Sequence, residues 1–155
     1  MTVEDTNEGA QSVTIGGFID RVTVSLRVFG DDLDPNEVTR LLNCQPTKCY
    51  VKGEEVVGRT TGLRRVTHTG GWLLNSDDER SVRLDEQIAN LLARVTDDLT
   101  VWGELTNRYK VDLFCGLFLD AENRECWLSA ETLRWLAERT LSIGFDIYAV
   151  FDDSK

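Results

Sequence analysis

The residues of this chain that could carry out nucleophilic chemistry include its four cysteines and its single histidine. Cys115 lies in the apolar stretch YKVDLFCGLF, and His68 lies in VTHTGGW. A cysteine nucleophile needs a base such as histidine within hydrogen-bonding distance. The alternating apolar residues around Cys115 instead predict a strand, where a buried cysteine behaves as a small hydrophobic residue. We therefore expect Cys115 to pack in the core, and we predict no catalytic residue.

Other patterns that could bind a metal ion or a phosphate are incomplete. The spacings Cys44-x4-Cys49 and Cys115-x10-Cys126 lack the two-residue spacing of zinc knuckles. GEEVVGRT resembles a phosphate-binding loop, but arginine replaces its lysine and two glutamates would repel phosphate. The aspartates of GDDLD are expected to form a turn and to cap a helix. The sequence therefore predicts neither a metal site nor a cofactor.

Three charged residues lie within otherwise largely apolar predicted strands. They are Arg27, Asp112 and Asp146, and Tyr148 follows two residues after the last of them. If these strands are neighbours, Arg27 would lie between the two aspartates on the sheet face away from the helices. The cluster would then be either a structural ion-pair network or the polar floor of a ligand groove. We expect Arg27 to be the partner that the carboxylate of Asp112 requires.

The segment 48–68 is a basic, glycine-rich loop in an acidic protein. It contains five lysines and arginines but two glutamates, so its charge of +3 leaves −13 on the rest of the chain. Arg59, Arg64, Arg65 and His68 are its candidate binding residues. The loop could bind an anionic ligand or an acidic patch of a partner. Alternatively, its arginines pair with the protein's own carboxylates.

The elements that must position these residues follow from periodicity. RVTVSLRVF predicts a strand, and LDPNEVTRLLN predicts a short helix with Asp34 as its N-cap and Glu37 as the reciprocal capping-box residue. Weak hairpins are expected before GWLLNS, which predicts another strand. The polar residues 1–17 are expected to form a flexible acidic tail, which leaves a single domain over 18–155.

The second half of the chain predicts helices and strands in alternation. LDEQIANLLARV predicts a helix, and a second helical piece follows, capped by Thr96 or Asp97. YKVDLFCGLF is apolar on both faces and predicts an interior strand covered on both sides, with RECWLS as its partner strand. Ser129 is expected to cap a last helix, whose apolar stripe is Leu133, Leu136, Ala137 and Leu141, and IGFDIYAVF predicts the last strand.

This order of elements predicts an α+β fold rather than a doubly wound parallel sheet. The two consecutive strands favour a mainly antiparallel sheet with helices on one face, and we expect a ferredoxin-like arrangement. The length of 155 residues suits one domain with a substantial core.

The charge and the apolar runs limit the class of protein. A net charge of −10 and a pI near 4.5 argue against nucleic-acid binding, because phosphates would be repelled. The longest apolar run, residues 113–119, is too short to cross a bilayer, and the N-terminus lacks the pattern of a signal peptide. We therefore expect a soluble cytoplasmic protein with reduced cysteines.

Five segments in this order resemble a known family. FGDDLDP, GGWLLNS, LDEQIANLL, VDLFCGLFL and LSIGFDIYAVF are similar to segments of the bacterial domain-of-unknown-function family forty-two seventy-nine. The resemblance runs from about Val22 to Phe151. It implies a small bacterial α+β domain, and it brings no activity, cofactor or catalytic residue.

Two functional hypotheses remain. The first is a non-enzymatic interaction domain that binds a protein partner or a second copy of itself, with neutralisation of a toxin (an immunity-like role) as one concrete form. The second is a binding protein or enzyme for a small anionic ligand, with a groove formed by Arg27, Asp112, Asp146 and the basic loop 48–68. Any tryptophan that is exposed, among Trp72, Trp102, Trp127 and Trp135, would indicate a partner surface.

Overall fold

A computed structural model describes residues 16–149, which form a sheet layer and a helix layer. The expected tail lies almost entirely outside the described residues, as does Phe151. In chain order the elements are β1 (Arg21–Gly30), α1 (Pro35–Leu42), β2 (Lys48–Tyr50), β3 (Glu55–Val57), β4 (Arg64–Val66), β5 (Gly70–Asn75), α2 (Leu84–Leu92), α3 (Leu99–Arg108), β6 (Lys110–Leu119), α4 (Ala130–Glu138) and β7 (Ser142–Ala149).

The main sheet has five strands in the order β2-β5-β1-β6-β7, and β3 and β4 form a separate hairpin. The central strand β1 pairs antiparallel with β5 and β6, and β2 pairs antiparallel with β5. Among the described strands of this sheet, only β6 and β7 pair in parallel. The mainly antiparallel α+β class is confirmed. The ferredoxin-like arrangement is not, because the element order departs from β-α-β-β-α-β and the last two strands are parallel neighbours joined by a helix.

One continuous core lies between the sheet and the helices. Alternate residues of β1 point into it, since strand side chains alternate between faces, and Leu113 and Cys115 of β6 lie in the same layer. All four helices add apolar residues to this cluster, including the fully buried Trp102. The buried residues of β1 are Val22, Val24, Leu26 and Val28. The prediction that the helices cover one face of the sheet is confirmed.

The cap of α1 is confirmed, but its capping box is not. The carboxylate of Asp34 accepts a hydrogen bond from the N–H of Asn36 at 2.9 Å. Glu37 instead accepts two hydrogen bonds from Arg108 of α3, at 2.8 and 3.1 Å. The carboxylate therefore joins two helices, because a guanidinium fork offers it a stronger pair of hydrogen bonds than one backbone N–H.

Of the two other predicted N-caps, the one for α3 is wrong and the one for α4 is confirmed. Asp98, rather than Thr96 or Asp97, caps α3 by accepting from the N–H of Thr100 at 2.9 Å. The hydroxyl of Thr96 accepts from the N–H of Asp98 at 3.2 Å and thus supports the turn before the helix. Ser129 caps α4 as predicted, accepting from the N–H of Thr132 at 3.1 Å.

The strand predicted for RECWLS is wrong. In that segment Glu125 forms one isolated bridge with Phe18, and the place beside β6 is taken by β7. The apolar stripe predicted for α4 is also only partly buried. Leu136 and Leu141 are buried, whereas Leu133 and Ala137 are exposed.

The strand β6 is interior to the sheet but is not covered by helices on both sides. Its core-facing residues are buried, while Phe114 and Phe118 on the other face are half-buried. That second face, which we call the open face, carries the polar residues of β1, β6 and β7. The prediction of cover on both sides is therefore wrong.

Candidate functional site

Arg27 and Asp112 form a pair on the open face. They lie opposite each other in the β1–β6 register, and the guanidinium donates to the carboxylate at 2.7 and 2.8 Å. The guanidinium carbon also lies 4.2 Å from the ring centre of Phe114 and 5.4 Å from that of Phe29. The side chains of Arg27 and Asp112 are only 24% and 13% exposed. The expected pairing is present, and each charged group already has the other as its hydrogen-bonding partner.

Asp146 does not join this pair. It lies beside Gly116 of β6, which is opposite Thr23 of β1, so it is four residues along the sheet from the row of Arg27. The hydroxyl of Tyr148 donates to Asp146 at 2.6 Å, and this hydrogen bond raises the pKa of Tyr148. The structure therefore separates the four predicted open-face residues into two pairs, and Arg27 does not lie between two aspartates.

Cys115 and His68 are not brought together. Cys115 is fully buried on the core side of β6, and burial raises the pKa of its thiol to about 12. His68 is exposed in the loop before β5, where it lines a small cavity with Tyr50 and Arg65. The thiol therefore lies in the apolar core, as predicted from the sequence.

The basic loop forms a groove against the sheet. The hairpin β3–β4 and the strands β2 and β5 enclose about 730 Å³, which we call the hairpin groove. Arg64 pairs with Glu55 at 3.2 Å, while the side chains of Arg59 and Arg65 have no hydrogen-bonded or ionic partner within residues 16–149. Its polar and charged lining residues include Thr47, Lys48, Arg59, Arg64, Arg65 and Asn75. His68 lies outside this lining, although Arg65 lines both cavities.

The acidic and glycine motifs have structural roles. Asp31 pairs with Lys52 at 2.7 Å, and Asp34 caps α1. GEEVVGRT runs through β3 into the hairpin turn, and the next element is a strand rather than the helix that a phosphate-binding loop requires. Within residues 16–149 no three cysteine, histidine, aspartate or glutamate side chains lie together as a possible metal site.

A second groove, which sequence reasoning missed, lies between α2 and α4. It encloses about 710 Å³ and is lined by Phe18, Trp127 and Trp135 together with charged residues, and we call it the aromatic groove. Trp127 is 68% exposed, whereas Trp72 and Trp102 are fully buried. A tryptophan exposed to this degree on a concave surface is typical of a partner-binding site.

Local contacts hold the chain segments that carry the aromatic side chains. The N–H of Ser129 donates to Asp85 of α2 at 2.9 Å, which holds the start of α4, and thus Trp127, beside α2. Phe18 is held by its bridge to Glu125, and the guanidinium of Arg83 lies 3.7 Å from its ring centre. The groove is therefore built from three separate chain segments.

The rim of the aromatic groove is acidic. Asp85, Glu86 and Glu131 line it, and Arg83 is the single cation that the described part of the chain contributes. Burial acts to raise the pKa of Asp85, but hydrogen bonds from the backbone of Ser129 and from nearby hydroxyls outweigh it, so that this pKa is lowered. Asp85 is therefore a stable anion at neutral pH, and the rim attracts positive charge.

The fold and these surfaces define a two-layer α+β domain with an aromatic groove on its helix layer and a basic groove beside its sheet. A family model described as a domain of unknown function (DUF4279) matches residues 20–150. The chain belongs to this family. No curated protein and no solved structure matches the chain. No helix within residues 16–149 is long and apolar enough to cross a membrane.

Proposed function

We propose that this protein is an interaction domain whose aromatic groove binds a basic segment of a partner protein. The observation that carries the proposal is Trp127, which is 68% exposed in a concave surface with an acidic rim. The role proposed is binding, since tryptophan is enriched among the hot-spot residues of interfaces.

The chemistry of the groove favours a cationic occupant. A lysine or arginine side chain can place its charge against an indole face, an interaction worth about 0.5–2 kcal/mol. Three carboxylates and one guanidinium on the rim add a net attraction for positive charge. The net charge of −10 also opposes association with a second copy of this chain, so the occupant is a different protein.

One form of this role is immunity-like neutralisation of a basic enzyme. A small acidic protein is steered toward a basic surface by long-range electrostatics, which raises the association rate. Such a partner would present lysines or arginines around its own active site, and the groove would receive one of them. In this form the enzyme loses activity when the complex forms.

Affinity capture from cells that express the protein tests the proposal, with Trp127→Ala and Val66→Ala run in parallel. Val66 is a suitable control because it is 57% exposed on the hairpin, away from the aromatic groove. We expect Trp127→Ala to weaken binding of the captured partner by about 2 kcal/mol or more, as for a hot-spot residue. Val66→Ala should bind like the unmodified protein.

Capture of a partner does not by itself support the proposal, because the partner must bind at the aromatic groove. Support requires that the captured protein contacts the groove through a basic segment and that added salt weakens the complex. A partner retained fully by Trp127→Ala, or one that docks through an acidic segment, would overturn the proposal. A dimer of the protein alone at micromolar concentration, measured by sedimentation, would also contradict it.

A further inference from the structure

The hairpin groove is a second surface, with the opposite charge. Lys48 reaches it from the sheet, and Arg59, Arg64 and Arg65 reach it from the hairpin. No carboxylate of residues 16–149 lines this groove, although the protein as a whole carries −10. Four cations therefore surround one concavity, and a bound anion would reduce their mutual repulsion.

Two of these cations are available for a ligand. Arg64 is partly neutralised by Glu55 at 3.2 Å, but Arg59 and Arg65 have no ionic partner within the described part of the chain. A guanidinium presents a planar fork of donors that matches phosphate and carboxylate oxygens. The amide of Asn75 and the hydroxyl of Thr47 line the same groove and add neutral hydrogen-bonding groups.

The dimensions indicate a small organic ligand rather than a bare ion. A volume of about 730 Å³ lies within the usual range of small-molecule pockets. The lining also includes Val56 and Val57, which offer apolar contacts beside the charges. A ligand with two or more anionic groups and an apolar portion would use both kinds of surface.

We propose that the hairpin groove binds a small organic polyanion through its phosphate or carboxylate groups. This site is separate from the aromatic groove and goes beyond the interaction role proposed above. Arg27 takes no part in it, because its guanidinium is already held by Asp112 at 2.7 and 2.8 Å. The ligand is held instead by Arg59 and Arg65, with Lys48 adding charge from the sheet.

Calorimetric titration with three probes tests this site: ATP, tripolyphosphate and citrate. ATP and tripolyphosphate carry phosphate groups and citrate carries carboxylates, so the probe that binds identifies the anionic group. We expect at least one probe to bind the unmodified protein. The double variant Arg59→Gln/Arg65→Gln should weaken that binding about tenfold or more, because two charge-assisted contacts are lost.

Arg134→Gln is the matched control. Arg134 is exposed on α4, and it has no ionic partner within residues 16–149. All three arginines are exposed, so their substitution should not prevent folding, and a thermal melt of each variant checks this. Absence of binding by all three probes would overturn the proposal. Equal weakening by Arg134→Gln and by the double variant would overturn it as well, since binding would then follow overall charge alone.

Discussion

Arg27 and Asp112 illustrate how a polar pair can be structural although it lies on an open sheet face. Each is mostly shielded by its partner and by the rings of Phe29 and Phe114. The cost of desolvating a carboxylate is recovered only while the guanidinium remains in place. The pair therefore stabilises the contact between β1 and β6 and does not serve as a ligand-binding site.

We predict that Arg27→Met destabilises the protein by about 1–3 kcal/mol, because Asp112 would be left half-buried without its donor. Urea denaturation measures the change in the free energy of unfolding. The double variant Arg27→Met/Asp112→Leu should recover much of the loss, since neither charge then remains unpaired.

Arg80→Met is the control for this prediction. Arg80 pairs with Asp20 at 3.1 Å, but its side chain is 73% exposed. An exposed pair contributes little, so we expect a change within about 0.5 kcal/mol. If Arg27→Met were as mild as Arg80→Met, Arg27 would not have the structural role assigned to it.

Cys115 should resist alkylation in the folded protein. Burial raises the pKa of its thiol to about 12, and its sulfur is not accessible to the reagent. Cys49 is exposed and serves as the internal control. With iodoacetamide at about pH 8, peptide mapping should find Cys49 modified and Cys115 unmodified until the protein is unfolded. Modification of both at equal rates would contradict the buried position.

For individual residues, the sequence predicts which side chains form a pair better than it predicts where a residue lies in the sheet. Asp112 within an apolar strand required a partner, and Arg27 was the suitable cation on a neighbouring predicted strand. The position of Asp146 could not be predicted, because a shift in strand register moves a residue along the sheet without changing its periodicity. Register depends on long-range pairing between β6 and β7.

At the scale of elements, Glu37 and Arg108 join α1 to α3 across the helix layer. The hydrogen bonds from Arg108 hold the pKa of Glu37 below its ordinary value of 4.5. A carboxylate whose pKa is lowered in the folded state stabilises the fold when it is ionised. That stabilisation is present above the unfolded pKa and is lost as the pH falls through the folded pKa.

We therefore predict that Glu37→Gln reduces the loss of stability between about pH 5 and pH 3, compared with the unmodified protein. Denaturant unfolding at several pH values measures this slope. Glu138→Gln is the control, since Glu138 is exposed and its side chain has no hydrogen-bonded partner within residues 16–149. An unchanged slope for Glu37→Gln would mean that the contact with Arg108 does not stabilise the folded state.

Local sequence patterns predicted most helices and strands but not which strands lie side by side in the sheet. The alternation in β1 and the caps at Asp34 and Ser129 are encoded within a few residues, and these predictions are confirmed. RECWLS has strand-like composition, but β7 occupies the place beside β6. That parallel pairing through α4 is a contact distant in sequence, which no local pattern contains.

The whole molecule carries two grooves of opposite charge. Anion binding was one of two interpretations of the basic segment 48–68, and the structure places its three arginines and Lys48 around one concavity. The aromatic groove had only one sequence signal, the tryptophan placed just before the predicted cap at Ser129. Phe18 and the carboxylates of α2 could not be assigned to it, because they come from segments distant along the chain.

Hydrogen–deuterium exchange on the complex with the captured partner shows whether the aromatic groove is the binding surface. We expect slower exchange at residues 126–135 and at the start of α2, where the partner would cover the aromatic groove, with the hairpin 55–66 unchanged. Slower exchange confined to the open face or to the hairpin, with residues 126–135 unaffected, would rule out the aromatic groove as the binding surface.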